Sequence, residues 1–132
     1  MRFTLASGKT VDVPESKIRE IVTTTMTPNP FWRYSRLLTE GEVMSFLQGS
    51  SDPKLLKRVA YYILVYAENI TLSGYLYGLA EDGPSGAETY LGHMKPLLEL
   101  LRSLNSLASR EPSRDLVKAM IEECLREGID PF

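Results

Sequence analysis

The sequence has one cysteine, Cys124, and one histidine, His93. A single cysteine excludes a disulfide within the chain and fits a reducing compartment. No second histidine or cysteine stands at metal-ligand spacing from His93, which argues against a metal site. The sequence also lacks a Gly-rich phosphate loop and a Gly-x-Ser-x-Gly elbow. We therefore expect no cofactor, and a binding function rather than an enzyme.

The chain has little net charge, since 15 basic and 17 acidic residues leave a formal charge of −2. This balance gives no broad electrostatic attraction to nucleic acid or to acidic lipid. The charge is unevenly divided: residues 1–58 hold nine basic and six acidic residues, and residues 59–132 hold six and eleven. Such a division is typical of two differently charged solvated faces. Alternatively, it indicates a basic front end that meets an acidic partner.

An apolar signal-peptide core is missing from the first residues, so we expect a cytoplasmic protein. A length of 132 residues fits one domain. We predict a β-hairpin over residues 1–13, a helical body over 14–128 and a tail over 129–132.

The longest stretch with little charge runs from Pro53 to Ala80, and from Val59 onward its only formal charge is Glu68. Large and small residues alternate along it at heptad spacing, at Leu56, Ala60, Ile63, Ala67, Ile70, Gly74 and Tyr77. This seam predicts a buried helix with a closely packed neighbour, for which the helix from Tyr90 to Ala108 has matching spacing. An exposed seam would predict a homodimer. We expect no membrane span, because Glu68 would lie at mid-depth in the lipid.

Local signals place the remaining elements. Apolar residues alternate on both sides of a turn at Gly8, which predicts the hairpin. Helix starts are indicated at Pro14, Thr39–Glu42, Asp52–Pro53, Ser85–Glu88 and Ser113. We predict a loop over residues 81–84 and a kink or break at Pro96. The predicted fold is α+β but mainly α, with the N-terminal β-hairpin packed on about five helices around one long central helix.

Glu68 and His93 form one candidate polar site. A carboxylate within an apolar helix must be paired, hydrated or protonated, and an arginine from elsewhere in the chain, His93 or a tyrosine hydroxyl could be its partner. The simpler interpretation is a carboxylate at a boundary or interface, because ion-pair networks often have this appearance. The alternative is a small-ligand-binding protein or an enzyme with a pocket around these two residues.

The second candidate is a segment in which aromatic and basic residues are interleaved. It contains Phe31, Trp32, Arg33, Tyr34 and Arg36. Tryptophan, tyrosine and arginine dominate protein-interface hot spots, which favours partner binding. The simpler interpretation is that the first two rings fill the core. A further alternative is a nucleic-acid-binding domain that uses basic residues of the N-terminal half, namely Arg33, Arg36, Lys54, Lys57 and Arg58.

These observations favour a non-catalytic regulatory or adaptor protein that binds a larger protein assembly. The transcription machinery is one candidate target, although no residue singles it out. The chain itself is expected to be a monomer or a homodimer.

Overall fold

The computed structural model describes residues 1–23 and 38–132. This part of the chain holds a two-stranded antiparallel sheet and four helices. The elements are β1 (Arg2–Thr4), β2 (Thr10–Asp12), α1 (Glu15–Ile21), α2 (Glu40–Leu47), α3 (Pro53–Arg110) and α4 (Arg114–Arg126). The predicted combination of an N-terminal hairpin with a mainly helical body is confirmed.

The hairpin has one buried face, as the alternation of apolar residues in its strands predicts. Phe3 of β1 lies opposite Val11 of β2. Phe3, Leu5 and Val13 are buried and Val11 is partly buried, as the alternation of apolar residues predicts. The backbone amide of Leu5 closes the turn by donating to the Lys9 carbonyl at 2.8 Å.

The helices α2, α3 and α4 begin where the sequence places their caps, whereas Ser85, a further predicted cap, lies within α3. Thr39 and Glu42 form a reciprocal capping box at the start of α2, with both hydrogen bonds present. Asp52 accepts a hydrogen bond from the Leu55 amide at the start of α3. Ser113 does the same for the Leu116 amide at the start of α4.

The count of four helices takes α3 as one element, although two helical arms meet within it at a kink at Gly83. Gly83 alone has non-helical backbone angles, with φ 77° and ψ −176°. Glycine adopts this positive φ without steric strain, so a single residue replaces the predicted loop. The described residues therefore form four helices instead of about five. Of the predicted kink or break at Pro96, the break is wrong, since the backbone keeps helical angles there, and the kink stays a prediction.

Two compact units make up the fold. The described residues of unit 1 are 1–23 and 68–96, and those of unit 2 are 38–67 and 97–132. The middle part of α3 belongs to unit 1, and its two end parts belong to unit 2.

Unit 1 has an apolar core built from the hairpin, α1 and the middle of α3. Its buried members are Phe3, Leu5, Val13, Ile18, Ile21, Val22, Leu72, Tyr75, Leu76, Ala87 and Leu91. A Cβ on Gly74 would overlap the Tyr90 ring, and a Cβ on Gly78 would lie 3.3 Å from the Ala87 Cα. The two arms of α3 within this unit therefore run antiparallel at close range. This confirms the close neighbour that the small residues of the seam predict.

Unit 2 contains the other half of the seam, whose members Leu56, Ala60, Ile63 and Ala67 are all buried. The apolar face of α4 is buried at Val117, Met120 and Cys124. The segment after Gly128, predicted as a tail, is partly packed: Ile129 and Pro131 are buried. Among the described residues, no helix combines the length and the apolar character that crossing a membrane requires.

Candidate functional site

The partner-binding segment predicted from the sequence cannot be compared with the described residues. Phe31, Trp32, Arg33, Tyr34 and Arg36 lie outside the described residues. Their role in partner binding therefore stays a prediction.

Glu68 lies in unit 1 and is completely buried, with an exposed fraction of 0%. Its Oε2 atom accepts hydrogen bonds from the Thr23 amide at 3.3 Å and from the Thr23 hydroxyl at 2.9 Å. Thr23 lies just beyond the end of α1. A buried carboxylate requires hydrogen bonds of this kind, and here they fasten the residues that follow α1 to α3.

His93, the other member of the predicted polar site, has a different environment. It is exposed on α3, whereas Glu68 is fully buried. The two cavities described below are lined by other residues. The shared pocket around these two residues therefore stays a prediction.

Unit 2 contains a cavity of about 420 Å³ beside the last residues of the chain, which we call the C-terminal cavity. Its described lining residues are Leu38, Glu40, Val43, Tyr62, Asp130, Pro131 and Phe132. The first turn of α2 supplies Glu40 and Val43, α3 supplies Tyr62, and the last three residues supply the opposite wall. The described lining is apolar and aromatic, with two carboxylates and no basic side chain.

An aromatic cluster fixes the walls of this cavity. The Phe132 ring lies 5.7 Å from the Phe46 ring and 5.4 Å from the Tyr62 ring, measured between centroids. The Tyr62 hydroxyl donates a hydrogen bond to the Pro131 carbonyl. Offset and tilted ring pairs at these distances add to the stability that burial provides. The cavity is therefore lined by residues that are held in place by their neighbours.

Arg114 of α4 anchors the C-terminal end of α2. Its guanidinium lies 4.6 Å from the centroid of the Phe46 ring. It also donates hydrogen bonds to the carbonyls of Phe46 at 3.0 Å and Ser50 at 2.6 Å. A cation over an aromatic ring is favourable, and so is a basic side chain on the last carbonyls of a helix.

The exposed side of α2 extends the apolar surface of the C-terminal cavity. Met44 is 48% exposed and Leu47 is 59% exposed. Val43, which lines the cavity, lies one helical turn before Leu47, and Met44 is also within one turn of it, so the three side chains share one side of the helix. We call Val43, Met44 and Leu47 the α2 face.

A second, polar cavity of about 530 Å³ lies at the starts of α2 and α3. Arg58 contacts Glu42 here through Nε at 2.5 Å and donates from Nη2 at 3.1 Å. The Arg58 hydrogen bond, aided by that of the Thr39 amide, lowers the pKa of Glu42 to about 2. Lys54 and Asp52 complete the charged lining. Lys54 and Arg58, two residues of the predicted nucleic-acid surface, thus share this cavity with two carboxylates, those of Glu42 and Asp52.

Unit 1 contains a separate ion network that joins α1 to α3. The Lys17 ammonium lies 3.0 Å from Glu20 and 3.0 Å from Glu88, and Lys95 also pairs with Glu20. The Tyr75 hydroxyl donates to Glu88 at 2.9 Å. Hydrogen bonds from Lys95 and Lys17 lower the pKa of Glu20, and those from Lys17 and Tyr75 lower the pKa of Glu88. The hydrogen bond to Glu88 raises the pKa of Lys17.

Cys124 is completely buried in α4, as its apolar position predicts. Burial, with a smaller effect of the Glu123 charge, raises the pKa of its thiol to about 12. Because the thiolate is the reactive form, this position makes the thiol inert at neutral pH. Within residues 1–23 and 38–132, no three acidic, histidine or cysteine side chains are grouped so that they could hold a metal ion.

No protein-family model matches the chain, and no significant match is found among curated proteins or solved structures. Sequence reasoning missed the C-terminal cavity because it treated residues 129–132 as a tail. The signal available in that segment is its content of apolar residues, namely Ile129, Pro131 and Phe132.

Proposed function

We propose that the chain is a small, non-catalytic regulatory or adaptor protein that binds a larger protein assembly through unit 2. The observation that carries the proposal is the α2 face beside the C-terminal cavity. Met44 and Leu47 expose about half or more of their surface there, at 48% and 59%. Phe132, which lines the cavity, is 42% exposed.

The arrangement of apolar residues supports an interface rather than scattered surface exposure. Single exposed leucines are ordinary, whereas apolar side chains grouped beside a cavity are typical of protein-binding sites. The α2 face offers a ridge, and the cavity offers a depression in which an anchoring side chain of a partner can be buried. The capping box at Thr39 and the Arg114 contacts fix both ends of α2. A surface that is already ordered costs less conformational entropy when a partner binds.

The use of the charged residues supports a non-catalytic role. Glu20 and Glu88 tie α1 to α3, and Glu42 ties α2 to α3 through Arg58. Glu68 fastens the residues after α1. The lowered pKa of Glu42 keeps that group ionised at neutral pH, which suits an ion pair and does not suit a general acid or base.

Affinity purification of the tagged full chain from its native cells, followed by mass spectrometry, tests the proposal. The informative variant is Leu47→Lys, because lysine is favourable at the end of a helix and removes apolar surface from the α2 face. Leu100→Lys is the matched control, since Leu100 is an exposed leucine of unit 2 outside the cavity lining. We expect one set of proteins with the wild type and with Leu100→Lys, and its loss with Leu47→Lys. Recovery of the same proteins with both variants contradicts the proposal, as does recovery of none.

A further inference from the structure

We infer that the C-terminal cavity receives a lysine or arginine side chain from an apolar-flanked segment of the protein partner. The inference rests on the proposed function and names the chemistry of the segment that docks. Four observations carry it: the charge of the lining, the nature of the walls, the size of the cavity and the α2 face beside it.

The charge of the cavity selects a cation. Glu40 and Asp130 are the charged side chains among the described lining residues. Within the described part of the chain neither is in an ion pair, in contrast to Glu42, two residues after Glu40, which pairs with Arg58. Asp130 accepts a hydrogen bond from the Phe132 amide at 3.0 Å, which orients its carboxylate. A basic side chain of the partner would form an ion pair with these carboxylates, and such charge complementarity gives an interface its specificity.

The walls suit the stem and the head of a long basic side chain. Lysine and arginine bury their aliphatic carbons against apolar surface while the charged group reaches polar atoms. Leu38, Val43 and the rings of Tyr62 and Phe132 provide that surface. The same aromatic cluster already holds one cation, because the guanidinium of Arg114 lies over Phe46. An arginine of the partner over Phe132 would repeat this contact.

The α2 face, together with a cavity large enough for one side chain, favours a peptide segment over a free amine. A volume of about 420 Å³ lies toward the lower end of the roughly 300–1,000 Å³ that is usual for small-molecule sites. It is sufficient for one anchoring side chain. A free amine would leave Met44 and Leu47 uncovered, whereas apolar residues that flank a basic residue in a peptide can bury them. We therefore assign the site to a segment with lysine or arginine next to large apolar residues.

Selection from a phage-displayed library of random 12-residue peptides, panned on the full chain, tests this assignment. We expect the enriched peptides to contain lysine or arginine beside leucine, isoleucine, phenylalanine or methionine. A synthetic peptide of the enriched sequence should bind the Glu40→Gln, Asp130→Asn double variant about tenfold more weakly, which corresponds to about 1.4 kcal/mol. Asparagine at position 130 keeps the oxygen that accepts from the Phe132 amide.

The matched control is the Glu99→Gln, Glu122→Gln double variant, which removes two exposed carboxylates of unit 2 outside the cavity. Its affinity for the peptide should equal that of the wild type. A charge-reversed variant, Glu40→Lys with Asp130→Lys, should enrich peptides that contain aspartate or glutamate. The inference is overturned by enriched peptides without basic residues, by unchanged affinity in the Glu40→Gln, Asp130→Asn variant, or by no enrichment.

The same variants separate this inference from the proposed function. One outcome is that the cellular partner is lost with Leu47→Lys but kept with the Glu40→Gln, Asp130→Asn double variant. In that case the proposed binding function stands, and the inference that a basic segment docks in the cavity is wrong. If the partner is kept with both, the proposed surface itself is wrong.

Discussion

The carboxylate of Glu68 accepts two hydrogen bonds from Thr23, one from the backbone amide and one from the side-chain hydroxyl. This pair joins the residues after α1 to the middle of the longest helix, inside unit 1. The most conspicuous charge in the apolar stretch of the sequence therefore has a structural partner, and its role can be tested by changing either residue.

Replacement of Thr23 by alanine should lower the free energy of unfolding by about 1.5–3 kcal/mol, the usual contribution of a hydrogen bond to a charged group. Thr23→Ser keeps the hydroxyl and is the control, with an expected loss well below that of alanine. Urea denaturation followed by circular dichroism measures both values. Equal stabilities of the two variants would show that the hydroxyl contributes nothing.

Substitution of Glu68 by glutamine tests whether the carboxylate has a role beyond stability. Glutamine keeps an oxygen that can accept from Thr23 but loses the charge that strengthens the hydrogen bonds. We expect a lower unfolding free energy and unchanged capture of the partner by the folded variant. Loss of partner capture while the variant remains folded would instead favour a functional site at Glu68.

The Gly74 and Tyr90 contact predicts opposite effects of two identical substitutions in α3. Gly74→Ala should destabilise unit 1 by about 1–3 kcal/mol, because the added methyl group overlaps the Tyr90 ring. Gly92→Ala should stabilise the protein by about 0.5–1 kcal/mol, since no other group lies within 4 Å of the new Cβ. Thermal unfolding of both variants measures the difference. A Gly74→Ala variant as stable as Gly92→Ala would contradict the close approach of the two arms.

The ion network of unit 1 predicts acid sensitivity. The pKa values of Glu20 and Glu88 are lowered in the folded state from an ordinary value of 4.5. Their contribution to stability is therefore complete above pH 4.5 and is lost as the pH falls through the lower folded-state values. The pairs are partly exposed, so each should contribute about 0.2–1 kcal/mol.

Lys17→Met tests the network, because Lys17 bonds both carboxylates. The free energy of unfolding should change less between neutral and acidic pH in this variant than in the wild type. Lys9→Met is the control, since the Lys9–Glu81 pair is more exposed, at 52% and 59% of side-chain area. The same pH dependence of the unfolding free energy in both variants would contradict this role of the Lys17 network.

The elements that could be predicted from sequence are those fixed by contacts between residues that are close in the sequence. Thr39 and Glu42 cap α2 through atoms three residues apart, so the sequence pattern itself specifies the contact. At Gly83 the same local evidence indicated a loop, but one residue with positive φ is enough for the reversal. Pro96 removes a single hydrogen bond, which packing along the rest of α3 tolerates.

The candidate site depends on contacts between residues that are distant in the sequence. The wall of the C-terminal cavity depends on Phe132 meeting Phe46 and Tyr62, residues far apart in sequence. No periodicity or cap relates these positions, so their contact could not be predicted from sequence. Glu68 is buried, and its partner Thr23 lies 45 positions away, so no local pattern in the sequence could indicate their contact.

Site-specific photocrosslinking in native cells is the measurement that tests the proposed binding surface most directly. A benzophenone-bearing amino acid would replace Leu47 in one version of the full chain and Leu100 in another. We predict that position 47 crosslinks to one protein of a larger assembly and that position 100 does not, because the α2 face lies within the interface. The absence of a crosslink at position 47, or the same crosslinked proteins at both positions, would contradict the account.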